Sequence, residues 1–235
     1  MAKLEAVPAQ DILSWAAATY GDALGIATSF QKEGMVILDM ASRLLSPIQV
    51  FTVDTGRLPE ETYQMVETVK EHYGIAVELL FPEPADVERM VTRHGPNLFY
   101  RSLEARRLCC EIRKVRPLER KLRQLRAWAT GLRREQAETR AEVAKAERVD
   151  GRIKISPLAD WTAAHVDQYL AENRVPVHPL YARGYSSIGC APCTRALEPG
   201  ESGRAGRWWW EEDSPKECGI HFRPDGQVIQ LRPGA

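Results

Sequence analysis

Two textures of apolar residues alternate along the first 130 positions. Short, largely apolar runs at 23–28, 48–53, 75–80 and 125–130 have the length of buried strands. Between them apolar positions recur every three or four residues. This predicts helices at 8–20, through Ile12, Leu13, Trp15 and Ala16, at 35–44, at Glu60–Tyr73 and at Pro84–His94. Strand followed by helix, repeated at this length, requires right-handed crossovers and a parallel sheet covered on both faces. The expected fold is therefore α/β, with three layers and a mostly parallel sheet. Ligands of such sheets sit beyond the carboxyl ends of the strands, where residues 29–34 and 54–56 fall.

Further along, a basic helix is expected at 109–122 with a kink or new turn at Pro117, a short strand at 153–155, and a helix at Ala163–Glu172 capped by Thr162 or Asp160. Residues 132–145 are charged and only weakly apolar, and they predict no definite element. Past Val175 the density of Pro and Gly excludes long regular elements. A division into 1–198, the α/β domain, and 199–235, a mobile C-terminal tail, follows.

Composition changes this picture little, but the cysteines change it considerably. Of five, two are adjacent, Cys109-Cys110, two form Cys190-Ala191-Pro192-Cys193, and Cys218 stands alone near the end. Four thiolates suit an iron–sulfur cube or a structural zinc, and the fifth, between Lys216 and His221, has the cationic surroundings that favour a reactive thiolate. No basic segment leads into an apolar run at the start, and no stretch has the uncharged length of a membrane span, so a cytoplasmic location with reduced thiols is expected.

The 235 residues carry 32 basic and 32 acidic side chains, which argues against generalised nucleic-acid or membrane binding. The balance is local, however: positions 101–140 hold thirteen Lys or Arg against five Glu. An excess of that size predicts either a solvated basic face or a small polyanionic ligand. The loop Ser29-Phe30-Gln31-Lys32-Glu33-Gly34 occupies a phosphate-cradle position but has neither the Walker A nor the GxGxxG glycine pattern. The run Arg207-Trp208-Trp209-Trp210 suits either a docking latch or plain packing.

SFQ after the first strand, VDTGRLPEET, CCEIRKVRPL, WATGLRREQAETR, GCAPCTRAL and ECGIH together closely resemble the assimilatory adenylyl-sulfate (APS) reductases, relatives of the phosphoadenylyl-sulfate (PAPS) reductases in the adenine nucleotide α-hydrolase-like fold. The resemblance implies a 4Fe-4S cluster on Cys109, Cys110, Cys190 and Cys193, and attack by Cys218 on the sulfur of APS. AMP then leaves, and thioredoxin or glutaredoxin releases sulfite from an S-sulfocysteine. It also implies that Lys114, lying between cluster and substrate, and His221 are catalytic residues together with Cys218. Arg140, Arg204 and Arg207 would grip the phosphosulfate, while Ser29, Phe30, Asp54, Thr55 and Gly56 would line the nucleotide pocket. Members of the family are commonly homo-oligomers. The SFQKEG loop departs from the SGGxD pattern of ATP pyrophosphatases, which argues against ATP cleavage. PAPS reduction or dual specificity is the nearest alternative, and a non-catalytic zinc module with the same four thiolates is the alternative of another class.

Overall fold

The computed structural model describes residues 4–44 and 48–211; residues 212–235, with Cys218 and His221, lie outside the described residues. Six strands form one sheet in the order β3-β2-β1-β4-β6-β5. They are β1 (Leu24–Ala27), β2 (Gln49–Val53), β3 (Val77–Leu80), β4 (Ala127–Ala129), β5 (Ala146–Val149) and β6 (Arg152–Ile155). Every neighbouring pair is parallel except β5 with β6. Ile26 stands opposite both Val50 and Ala129, so β1 is the central strand from which the chain runs outward to β3 and then returns to the other side. That reversal between β1 and β4 is the topological switch point, where the connections leave an opening at the carboxyl ends.

The two sheet faces are buried differently. Leu24, Ile26, Val50, Ala127, Ala129 and Ile155 point toward α1 (Ala9–Tyr20), α2 (Lys32–Ser42), α3 (Glu60–Tyr73) and α7 (Ala163–Glu172), forming the larger core cluster. Phe51, Leu80 and Trp128 point the other way, onto Leu118, Leu122 and Leu125. Strand alternation thus assigns each apolar residue to one of two layers. Thr162 caps α7 by accepting from the His165 N–H, which decides between the two caps expected from sequence.

Two elements differ from expectation. The strand β5 falls in a stretch for which no element is expected from sequence; it pairs with β6 through Asp150 and Gly151, both at positive φ (46° and 78°). An Asp-Gly pair between strands is the sequence form of a tight hairpin, and it was the available signal. The basic helix starts earlier than expected. Ser102 caps α5 (Leu103–Cys110), a π-helical turn covers Glu111–Val115, and α6 (Arg116–Leu122) follows without a break. Pro117 lies at the opening of α6, so of the two outcomes expected there it starts a new turn. A proline has no N–H for the usual i−4 carbonyl, and a widened turn just before it accommodates that loss. Residues 132–145 hold two short 3₁₀ turns, Arg134–Gln136 and Glu138–Arg140.

Candidate active site

A cavity of about 230 Å³ opens at the switch point. The turn after β1 contributes Thr28 and Ser29, and the turn after β4 contributes Thr130 and Gly131. Five cationic side chains, Lys114, Arg140, Lys154, Arg204 and Arg207, enter the wall from four separate segments. Arg140 is held by Gln136, whose side-chain carbonyl accepts from it and, at 3.1 Å, from the Arg133 N–H. The Gln136 amide nitrogen in turn donates to the Gly131 carbonyl at 3.2 Å. Arg207 is 5% exposed and stacks on Trp208, with the guanidinium carbon 4.6 Å from the ring centre. A Cβ on Gly189 would lie 2.5 Å from the Arg207 guanidinium, so glycine is what lets this cation reach the cavity.

Beside it a smaller cavity gathers the cysteines. Cys109 and Cys110 at the end of α5, Cys190 and Cys193 of the Pro/Gly loop, and Lys114 all line it. Lys114 thus borders both cavities. Two ties bring the distant segments together. The Ala191 N–H donates to the Arg57 carbonyl at 2.8 Å, and Gln31 Oε1 accepts from the Ile188 N–H at 3.0 Å. The π turn places Arg113 so that it donates to the Thr55 carbonyl at 2.8 Å, locking the basic helix to the turn after β2.

Thiol protonation here reflects burial against nearby cations. Burial pushes Cys193 up to about 12 and the neighbouring Cys190 sulfur adds to it, while Arg207 and Lys114 oppose the rise. Cys109 is also raised by burial, with Arg113 opposing. Thiols that resist ionisation in apolar surroundings become stable thiolates once a positive centre replaces the proton. The donor set therefore fits a four-thiolate group in kind. Among the described residues, no group of three or more His, Cys, Asp or Glu stands together in a form that could hold a metal ion directly.

Of the residues singled out in the sequence, Ser29, Lys114, Arg140, Arg204 and Arg207 meet at the larger cavity. Thr55 lies in the cysteine cavity, its hydroxyl 3.2 Å from Cys190 Sγ. Asp54 is 3% exposed and accepts from the Gly56 N–H at 2.7 Å and the Tyr63 hydroxyl at 3.0 Å, shaping the turn that carries Thr55. Gly56, at φ 68°, packs near Arg113. The Phe30 side chain is fully buried in the larger core cluster, at φ 55°, and its N–H donates to Thr28 Oγ1 at 3.0 Å. Thr62, Gln136 and Lys154 also line the larger cavity without having been expected there. Cys218 and His221 lie outside the described residues.

Residues 23–196 match the model of the phosphoadenosine phosphosulfate reductase domain. The chain belongs to this family. It is 48% identical over 204 residues to an adenosine 5′-phosphosulfate reductase of Allochromatium vinosum, covering 86% of this chain and 80% of that one. A protein of the same name from Burkholderia cepacia is 50% identical over 203 residues, with 86% and 81% covered. Among solved structures, the phosphoadenylyl-sulfate reductase of Candida auris in a phosphate complex is 31% identical with TM-score 0.69, over 81% of this chain and 92% of that chain. Yeast FAD synthetase, 13% identical at TM-score 0.55 over 80% and 66%, shares the fold alone.

Proposed function

We infer that this chain is an APS reductase of assimilatory sulfate reduction, releasing sulfite and AMP. The observation that carries this reading is the identity of 44–50% with curated adenosine 5′-phosphosulfate reductases over most of the chain. The cavity at the switch point supports it. Breaking the bond between sulfur and the phosphate oxygen leaves negative charge on both halves, and cations fixed on that charge lower the barrier. Lys114, Arg140, Arg204 and Arg207 supply such cations on several sides.

The chemistry proposed begins at Cys218, whose thiolate is favoured by Lys216 and His221. Its sulfur attacks the sulfuryl sulfur. A bond between the two sulfurs forms, the bond from sulfur to the phosphate oxygen breaks, and AMP departs with that electron pair. A thiolate of a thioredoxin or glutaredoxin then attacks Cys218 Sγ. Sulfite leaves with the electron pair of the S–S bond, and the resulting mixed disulfide is resolved by the donor's second thiol, so the dithiol is oxidised as sulfur is reduced. Cys109, Cys110, Cys190 and Cys193 would hold a 4Fe-4S cluster, which when bound supplies fixed, polarizable charge beside Lys114. A cytoplasmic homo-oligomer is part of the same reading; no helix among the described residues is long and apolar enough to cross a membrane.

Anaerobically purified protein is expected to be brown and to turn over APS with a dithiol donor. Preference for the 3′-phosphorylated substrate would move the reading to PAPS reduction, the activity named for the less similar Candida auris enzyme. Colourless protein holding zinc would remove the cluster.

A further inference from the structure

Thr62 sits in the first turn of α3, 3% exposed, on the wall of the larger cavity. Its hydroxyl oxygen lies 3.1 Å from Nε2 of His178, a side chain 1% exposed. His178 precedes the 3₁₀ turn Pro179–Arg183 and comes from a segment more than a hundred residues away. The other ring nitrogen, Nδ1, accepts from the Leu180 backbone N–H at 3.3 Å.

That second contact fixes the direction of the first. A backbone N–H can only donate, so Nδ1 must present its lone pair, and a neutral ring then carries its proton on Nε2. In the opposite tautomer two N–H groups would face each other inside a buried site. Nε2–H therefore donates to Thr62, whose oxygen is occupied as an acceptor. The hydroxyl proton is left to point elsewhere. Among the described residues Thr62 Oγ1 has no second protein partner, and the open side of the residue is the cavity.

We propose that Thr62 is a substrate-contacting residue whose hydroxyl donates to an oxygen of the bound nucleotide sulfate, and that His178 is a positioning residue that sets the direction of that donation. A threonine hydroxyl is ordinarily indifferent, able to donate or accept. Here the relay from the Leu180 N–H through the imidazole removes the choice and makes Thr62 a one-way donor. A donor fixed before the ligand arrives favours an oxygen-rich ligand and disfavours a group that itself presents a proton. The inference rests on the larger cavity being the nucleotide site.

The test is binding of APS and of AMP to the full-length holoenzyme, measured for wild type, Thr62→Val, Thr62→Ser, His178→Ala and the Thr62→Val/His178→Ala pair, with thermal unfolding followed in parallel. Thr62→Val keeps the shape and removes the donor, so APS should bind about tenfold more weakly, the usual scale for one hydrogen bond to a charged group. Thr62→Ser should restore wild-type binding. His178→Ala should weaken binding alone but add nothing in the Thr62→Val background, because both act through one hydroxyl. A purely structural pair would lower the unfolding temperature and leave the dissociation constants unchanged. Equal APS binding by wild type and Thr62→Val overturns the proposal, as do additive effects in the double variant. Should His178→Ala not fold, the Val and Ser variants decide the role of Thr62, and His178→Gln takes its place in the cycle. Wild type that binds neither APS nor AMP would refute the functional reading itself, a different outcome from wild type that binds and ignores Thr62.

Discussion

At the scale of single residues, the cationic cavity depends on a few closely packed positions. Gly189 is one: a methyl group there would displace the Arg207 guanidinium, which lies 2.5–2.9 Å from the added Cβ. Gly189→Ala should therefore lower kcat/KM for APS by about tenfold or more, the cost of a misplaced charge, while the unfolding temperature changes little. Steady-state kinetics beside a melting curve checks it. On the proposed cluster assignment, Cys193→Ser should lose iron that wild type retains on purification, read by metal analysis, because a hydroxyl does not replace a thiolate ligand. The cysteine pairs and the local basic excess were legible from residue type and spacing, and the structure lines one cavity with Cys109, Cys110, Cys190 and Cys193. The placement of the Phe30 side chain was not legible, because the backbone conformation of a single loop residue leaves no mark in hydrophobic periodicity. In the structure its positive φ turns the ring into the core and leaves Ser29 at the cavity.

At the scale of elements, the helix from Leu103 to Leu122 joins both halves of the site, and its widened turn at Glu111–Val115 is the part no periodicity could show. Sequence spacing treats a helix as uniform at 3.6 residues per turn, whereas a π turn shifts every following side chain around the axis. The segment 101–140 likewise looked strongly basic because its counter-charges are remote in sequence. Arg106 pairs with Glu211, Arg116 with Asp86, Lys121 with Glu78, Arg133 with Glu33, and Arg134 with Glu5. Folding thus neutralises most of the excess, and Lys114 and Arg140 are the members that border the larger cavity. The Arg106–Glu211 pair is the most enclosed, at 1% and 9% side-chain exposure, with Arg106 also 4.3 Å from the Trp208 ring centre. Glu211→Ala leaves a buried charge without its carboxylate. It should destabilise the protein by about 3 kcal/mol in urea titration.

For the whole molecule, the order of strands and helices was readable because a parallel sheet demands continuous apolar runs with crossovers between them. The hairpin of β5 and β6 was less so, since Ala146–Val149 offers only two buried residues, Ala146 and Val149. The stability of the whole fold should carry the signature of His178. Burial lowers its pKa to about 4 from the ordinary 6.5, against a smaller opposing effect of Glu61. The unfolded chain therefore takes up a proton first as pH falls. The stability that His178 contributes as a neutral ring is fully present above about pH 6.5 and is lost progressively down to about pH 4. Urea midpoints at pH 7 and pH 5 should differ by less in His178→Gln than in wild type.

The Arg106–Glu211 pair also fixes a point from which distance can be counted. Seven peptide units separate Glu211 from Cys218, and a fully extended chain of that length reaches about 25 Å. Covalent geometry alone keeps the Cys218 Cα within about that distance of the Glu211 Cα. On the proposed chemistry the first step is then a tethered reaction whose rate follows an effective concentration, not the amount of enzyme in solution. Doubling the tether with a Gly/Ser insert after residue 212 should slow single-turnover formation of the sulfonated enzyme by roughly threefold, as loop dilution requires, with APS affinity unchanged.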